Sequence, residues 1–417
     1  MNEKLIIKAT ADLDQIRDEA VTKRILELKV TAPSLSSGED RPQINLALVI
    51  DHSSSMHGEK LTYAKQAAHH VVDLLEEDDR LSLVGYDQNV TVLAESLKIN
   101  QENNKDLHRK INTMRSTGTT NLSGGWLEGC RQVAGHLQEN AVNRTLLLSD
   151  GMANVGIVDN NELGQHANAL FERGISTSTF GVGYHYNEHI MENIANQGGG
   201  NYYFIEHPVQ INDIFVEEFK DIAAISAHKV SITLDLPEDV TASVPGGLIT
   251  NQTGQKLTIE IGDMPGDKTR TCYVCLIFPP VKKQEKCGLP VSVKYSDADG
   301  NSDTITDTLT FEVISIHEFN EQKKDRELVS RYANVVMSDQ TLEAMKEERI
   351  GRRAAAHQMM QNHLHQFQDS LKQEDVDMYQ EFSDQMLQGL TIEERKRRSY
   401  DHHRMRRMRD VDRDDFR

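Results

Sequence analysis

The run LVIDHSSSMHG, residues 48–58, breaks an apolar stretch on Asp51 and follows it with hydroxyls, Ser53 and Ser55 among them. A second carboxylate, Asp150, ends another apolar run in RTLLLSDGMANVG. Between the two lies STGTTNLSGG (116–125), a loop rich in hydroxyls and glycine. Carboxylate and hydroxyl oxygens are the ligands a hard divalent cation prefers. The competing reading is purely structural: serines that cap a helix after a strand ending in aspartate.

Elements must bring these loops together. INLALVI (44–50), RLSLVGY (80–86), RTLLLS (144–149), ISTSTFGVG (175–183) and NYYFIE (201–206) read as strands, with TVLAESLKI (91–99) as an extra edge strand. The first and third are almost wholly apolar, as parallel strands covered on both faces are. Between them lie helical patterns. In GEKLTYAKQAAHHVVDLLEEDDR, residues Leu61, Ala64, Ala68, Val71, Val72 and Leu75 recur on one face. Strand–helix alternation predicts a doubly wound α/β sheet. Ligands of such sheets gather beyond the carboxyl ends of the strands, where Asp51 and Asp150 both fall.

At this point the sequence resembles a known family. Asp51, Ser53 and Ser55 form D-x-S-x-S, followed in order by G-T-T-N and L-S-D-G. This set is similar to the metal-ion-dependent adhesion site of von Willebrand factor type A domains. FGVGYHYNEHIMENIANQGGGNYYFIE (180–206) resembles the last strand–helix–strand of that family, especially its bacterial calcium-activated chloride-channel-like branch and the inter-alpha-trypsin-inhibitor heavy chains. The resemblance spans about residues 43–220. It implies a Rossmann-like domain with metal ligands Asp51, Ser53, Ser55, Thr120 and Asp150, the family register favouring Thr120 over Thr119. It further implies Mg²⁺ (Mn²⁺ or Ca²⁺ as alternatives), with the hydroxyls approaching the ion and the aspartates binding it directly or through water. The partner is then a protein that offers an Asp or Glu side chain to the metal, and the domain is not an enzyme.

Enzymes remain a second class. A metal-assisted hydrolase needs a general base near the ion, and His52, His57 and His185 lie in loops at the same rim. His52 holds an alternate position of D-x-S-x-S, so it is expected to point to the rim and not to the metal. No Ser/His/Asp arrangement, P-loop or dinucleotide fingerprint is evident.

The flanks have another composition. Residues 1–42 contain KLIIKATADL and KRILELKVTAP, and residues 227–315 contain several alternating runs. Together they predict an antiparallel β-sandwich with the α/β domain, residues 43–226, inserted between its strands. EEFKDIAAIS (217–226) is read as the last helix of that domain. SDADGNSD (296–303) imitates an EF-hand start, but Thr308 stands where the bidentate glutamate belongs, so a hairpin turn at Asp299-Gly300 is expected. Cys130, Cys272, Cys275 and Cys287 are expected to be thiols without zinc, because residues three apart on a strand face opposite ways.

Residues 316–392 carry helical stripes that Gly351 and the acidic KQEDVD stretch are expected to separate. Residues 393–417 form an arginine-rich tail with Arg395, Lys396, Arg397, Arg398, Arg404, Arg406, Arg407 and Arg409, expected to be solvated. Nucleic-acid contact is its sharper alternative. A net charge of −19 argues against a chain built mainly to coat nucleic acid or an anionic membrane. With no apolar run near bilayer length and no basic-then-apolar leader pattern, a cytoplasmic location is expected.

Overall fold

The computed structural model describes residues 4–35, 41–138, 141–281, 286–297, 300–315, 317–319 and 323–407. Two compact units are present, one formed by residues 35–228 with 297–301, the other by residues 1–34, 229–296 and 302–417.

The chain starts in the second unit with β1 (Ile6–Ala11), β2 (Gln15–Arg17) and β3 (Thr22–Thr31). The first unit opens with β4 (Ile44–Asp51), all of whose residues are buried. It continues through α1 (Glu59–Leu74), β5 (Arg80–Tyr86), β6 (Val90–Lys98), α2 (Gln101–Thr113) and α3 (Leu122–Ala134). Next come β7 (Val142–Ser149), α4 (Asn160–Glu172), β8 (Ser176–Val182), α5 (Glu188–Gln197), β9 (Gly199–Ile205) and α6 (Ile211–Ala223).

The sheet order is β6-β5-β4-β7-β8-β9, parallel except for the antiparallel edge pair β5–β6. β4 and β7 are covered on both faces, every residue of each being buried, and their apolar stretches Leu46–Ile50 and Leu146–Leu148 are unbroken, as such strands require. Leu46, Leu48 and Ile50 share a core with Leu61, Ala64, Ala68, Val71 and Val72 of α1 and with Leu75 just after it. Val49, on the opposite face, meets α3 so closely that a Cβ on Gly129 would stand 2.3 Å from it. The chain leaves β4 for β5 on one side and returns to β7 on the other. That makes the crevice between the ends of β4 and β7 a topological switch point.

In the second unit follow β10 (Ile225–Asp235), β11 (Thr241–Ser243), β12 (Ile249–Thr253), β13 (Lys256–Pro265), β14 (Thr269–Phe278), β15 (Lys286–Asp297) and β16 (Ser302–Ile314). Two sheets result, ordered β1-β3-β14-β11 and β12-β13-β10-β15-β16-β2. β3 pairs antiparallel with β14 over ten residues, from Thr31↔Thr269 to Thr22↔Phe278. Strands from before and after the α/β segment therefore share a ladder. Phe278 meets Phe311 edge-on at 5.1 Å, linking the two sheets. Cys130, Cys272, Cys275 and Cys287 are free thiols.

Helices α7 (Arg326–Arg349), α8 (Arg353–Phe367), α9 (Gln373–Gln388) and α10 (Ile392–Arg407) complete this unit. Leu328, Tyr332, Met360, Leu364, Phe367, Phe382 and Met386 bury one continuous core, which reaches Ile25, Tyr273 and Cys275 on the sheet.

Three expectations are corrected here. The last helix of the α/β unit stops at Ala223, and Ile225-Ser226 already begin β10, where a β-branched residue suits a buried strand. KQEDVD does not separate helices: Gln373 opens α9, with Glu374 and Asp375 in its first turn, where their charges complement the helix dipole. The arginine-rich segment is not a solvated tail as far as Arg407. Thr391 and Glu394 form a reciprocal cap, Glu394 N donating to Thr391 Oγ1 at 3.2 Å and Thr391 N to Glu394 Oε2 at 2.8 Å.

From that cap, α10 packs inward. Lys396, His402 and His403 are buried, and Arg395 grips the buried Glu348 with two bonds of 2.7 and 2.9 Å. Arg398 lies over the Phe382 ring. The turn expected at Asp299-Gly300 lies partly outside the described residues, as do the side chains of Arg406 and Arg407 and all of Arg409.

Candidate metal centre

Pairing of β4 with β7 runs to Ile50↔Leu148, so Asp51 and Ser149 stand side by side at the carboxyl end of the sheet and Asp150 follows at once. Asp51 and Asp150 are both fully buried. Asp51 accepts from the Ser53 backbone N–H at 2.8 Å through Oδ1 and from the Ser149 hydroxyl at 2.6 Å through Oδ2. Burial, with the Asp150 charge adding to it, pushes the Asp51 carboxyl up to about 6 against those favourable bonds. Two anionic groups held so close in a dry crevice need a cation to be comfortable there.

Ser53 is buried at the N-cap position of a short turn of helix, Ser54–Met56, but makes no side-chain capping bond there. Its hydroxyl lies 3.1 Å from that of Ser55, which donates to Asp150 Oδ1 at 2.7 Å. The serines thus connect the two carboxylates, which is more than capping would require. Thr120 is buried while Thr119 is exposed, and a Cβ on Gly151 would stand 2.7 Å from Thr120 Oγ1. Glycine after Asp150 lets the threonine hydroxyl approach the backbone there. All five residues singled out in the sequence therefore border one crevice.

Other residues hold the loops in place, and sequence reasoning missed them. Asp87 accepts from the Thr117 hydroxyl and the Asn89 N–H, both at 2.7 Å, while its carbonyl takes the Asn121 N–H at 2.8 Å. Asn121 caps α3 by accepting from Gly124 N at 3.0 Å. Ser149, in L-S-D-G, was within reach of the motif, yet only the pairing of β4 with β7 shows it bonding Asp51. Nothing in the sequence marks Lys60, yet its ammonium pairs with Asp150 Oδ2.

The histidines are elsewhere. The half-buried His52 ring rests on β5, where a Cβ on Gly85 would be 3.0 Å from its Cδ2. His57 is exposed and lies 3.3 Å from the Ser116 hydroxyl, and His185 is exposed. Among the described residues no three His, Cys, Asp or Glu side chains converge on one point. At this crevice two carboxylates are instead completed by hydroxyls, a donor set that fits a hard divalent cation and not a thiolate–imidazole metal.

Residues 45–217 match the family model of the von Willebrand factor type A domain. The matched stretch lies within the first of the two units, whose switch-point crevice is where the five residues meet. Protein sll0103 of Synechocystis sp. is 24% identical over 360 residues, covering 84% of each chain. YfbK of Escherichia coli is 28% identical over 51% of this chain and 37% of its own length. Inter-alpha-trypsin inhibitor heavy chain H3 of Homo sapiens is 26% identical over 162 residues, 18% of that protein.

Among solved structures, a von Willebrand factor type A protein from Catenulispora acidiphila superposes with a TM-score of 0.70 at 15% identity, covering 91% of this chain and 89% of that one. The ArnB paralog VWA2 from Sulfolobus acidocaldarius does so with 0.65 at 17% identity, over 98% and 100%. At these identities the likeness is one of fold. Among the described residues no helix is long and apolar enough to cross a membrane.

Proposed function

We propose that the chain is a non-enzymatic, Mg²⁺-dependent protein-interaction module, with Asp51, Ser53, Ser55, Thr120 and Asp150 as the metal-holding residues. One observation carries the reading: two fully buried aspartates and three hydroxyl residues are gathered at a single switch-point crevice, with hydroxyls in contact with both carboxylates. A bound ion would supply an electrophilic position for a carboxylate from a partner protein. Asp51 and Asp150 provide the charge that retains a cation, and the neutral hydroxyls fill the shell without cancelling that charge.

The partner's surface is suggested by the loop after Asp150, where Met152, Val155 and Val158 are exposed. This apolar rim suits an acidic side chain flanked by aliphatic or aromatic groups. The second unit is read as a β-sandwich into whose chain the type A domain is inserted.

The test is metal titration calorimetry on wild type and Asp51→Ala, joined to affinity capture in Mg²⁺ and in chelator. Wild type should bind one Mg²⁺ or Mn²⁺ and retain a partner only with metal, and the variant should do neither. Identical metal binding by both proteins would refute the site. Hydrolysis has less support: the His52 ring packs on Gly85, and His57 and His185 are exposed.

A further inference from the structure

Lys60 is the second residue of α1, and its side chain is three-quarters buried. Its ammonium pairs with Asp150 Oδ2, while Asp150 Oδ1 takes the Ser55 hydroxyl. Asp51 has its oxygens on Ser53 N and the Ser149 hydroxyl. Of the two buried carboxylates, one is therefore bonded by neutral donors and the other by a cation from the protein itself.

We infer that Lys60 is a tethered cation that competes with the divalent ion for Asp150 and so sets the metal affinity of the site. This rests on the metal-site reading above. The physical reason is that a buried carboxylate without a countercharge is costly, so the lysine stabilises the protein in the absence of metal. The same ammonium repels a divalent ion arriving at Asp150, and the repulsion is strong in a poorly solvated crevice. Binding therefore requires the lysine to swing off.

Beside the ammonium the chain holds Gly183 at φ 72°, where a Cβ would already touch the lysine Cε and Nζ at 3.9 Å; glycine leaves that flank of the lysine without a side chain to pin it. Lysine is suited to the role: its charge is compact and its stem flexible, whereas an arginine fork would hold the carboxylate bidentately. The result is a site that holds metal only above a threshold concentration, with the lysine stem covering the crevice until then.

The experiment is Mn²⁺ titration of wild type, Lys60→Met and Lys60→Arg, by calorimetry and by the electron paramagnetic resonance signal of free Mn²⁺, together with melting curves in chelator. Met keeps the apolar stem and removes the charge. Lys60→Met should bind Mn²⁺ at least tenfold more tightly than wild type and melt lower in chelator, with the difference reduced at saturating metal. Lys60→Arg should bind as weakly as wild type or more weakly.

Equal or weaker binding by Lys60→Met, in a variant whose near-ultraviolet circular dichroism matches wild type, would overturn the inference and leave the metal site standing. A misfolded Lys60→Met leaves Lys60→Arg to decide: tighter binding than wild type by the arginine variant would overturn it. If neither wild type nor Lys60→Met binds Mn²⁺, the inference falls together with the site. Binding by Lys60→Met alone would support both.

Discussion

The replacement Glu218→Gln tests how α6 is held to the sheet. Glu218 is fully buried, and both its oxygens are occupied. Oε1 takes Arg144 Nη1 at 3.1 Å and the Ser178 hydroxyl at 2.5 Å, and Oε2 takes Asn201 Nδ2 at 2.5 Å and the Tyr203 hydroxyl at 2.6 Å. These donors come from β7, β8 and β9, so one carboxylate from α6 bonds three strands. Burial alone would raise the Glu218 pKa, but the Arg144 charge and the hydrogen bonds outweigh it and hold the carboxyl below its ordinary value.

Glutamine keeps the shape but loses the charge, and it turns one acceptor into a donor facing donors. The attraction lost at this separation is about 5 kcal/mol at an effective dielectric near 20. Removing one partner of a buried ion pair costs roughly 3–5 kcal/mol, because Arg144 is left buried with its charge. The expected result is a loss of about 3–5 kcal/mol in urea unfolding at pH 7.

The pH dependence follows from the sign of the shift. A folded-state value below the ordinary 4.5 contributes stability above that pH and loses it as pH falls through the lower folded value. The gap between wild type and variant should therefore narrow below about pH 4.5. A loss under about 1 kcal/mol at pH 7, the scale of an exposed pair, would refute the argument that this cluster is dry and locks α6.

Asp51→Asn should make the protein more stable than wild type in chelator, since a buried charge beside Asp150 is removed while an amide oxygen still accepts from Ser53 N; added Mg²⁺ should then no longer raise its melting temperature. Thr120→Ala should weaken Mg²⁺ binding at least tenfold in calorimetry, whereas Thr119→Ala, on an exposed side chain, should leave it unchanged. Arg395→Ala should destabilise the second unit by about 3 kcal/mol in denaturant unfolding, because it leaves the buried Glu348 without its bidentate partner; a change within ±0.5 kcal/mol would mark α10 as a loosely attached tail. In an alkylation time course Cys287, half-buried, should react before Cys130, whose thiol burial pushes up to about 11.

Much of the α/β unit was legible because its signals are local. An unbroken apolar run marks a strand covered on both faces, and a 3.6-residue stripe marks α1, so INLALVI and the Leu61–Leu75 face could be read without knowing their neighbours. The ligand motif was legible for a similar reason. Small hydroxyls just beyond a strand-ending carboxylate are a poor choice for a core and a good one for a cation.

What the sequence could not fix was whatever depends on which strands become neighbours. Lys60 looks like any lysine on a helix surface until β4 and β7 pair and set Asp150 beneath its ammonium. Ser149 looks like a strand residue until the same pairing places its hydroxyl on Asp51. His52 finds a bare glycine for its ring to lie on only once β5 pairs with β4.

The arginine-rich segment misled for a related reason. A charge run reads as solvated when its countercharges are far away in sequence, and Glu348 is a partner that only the packing of α7 against α10 supplies. Periodicity and residue type are written along the chain and determine elements and donor chemistry. Counter-ions, by contrast, are chosen across space, and only the tertiary structure decided them.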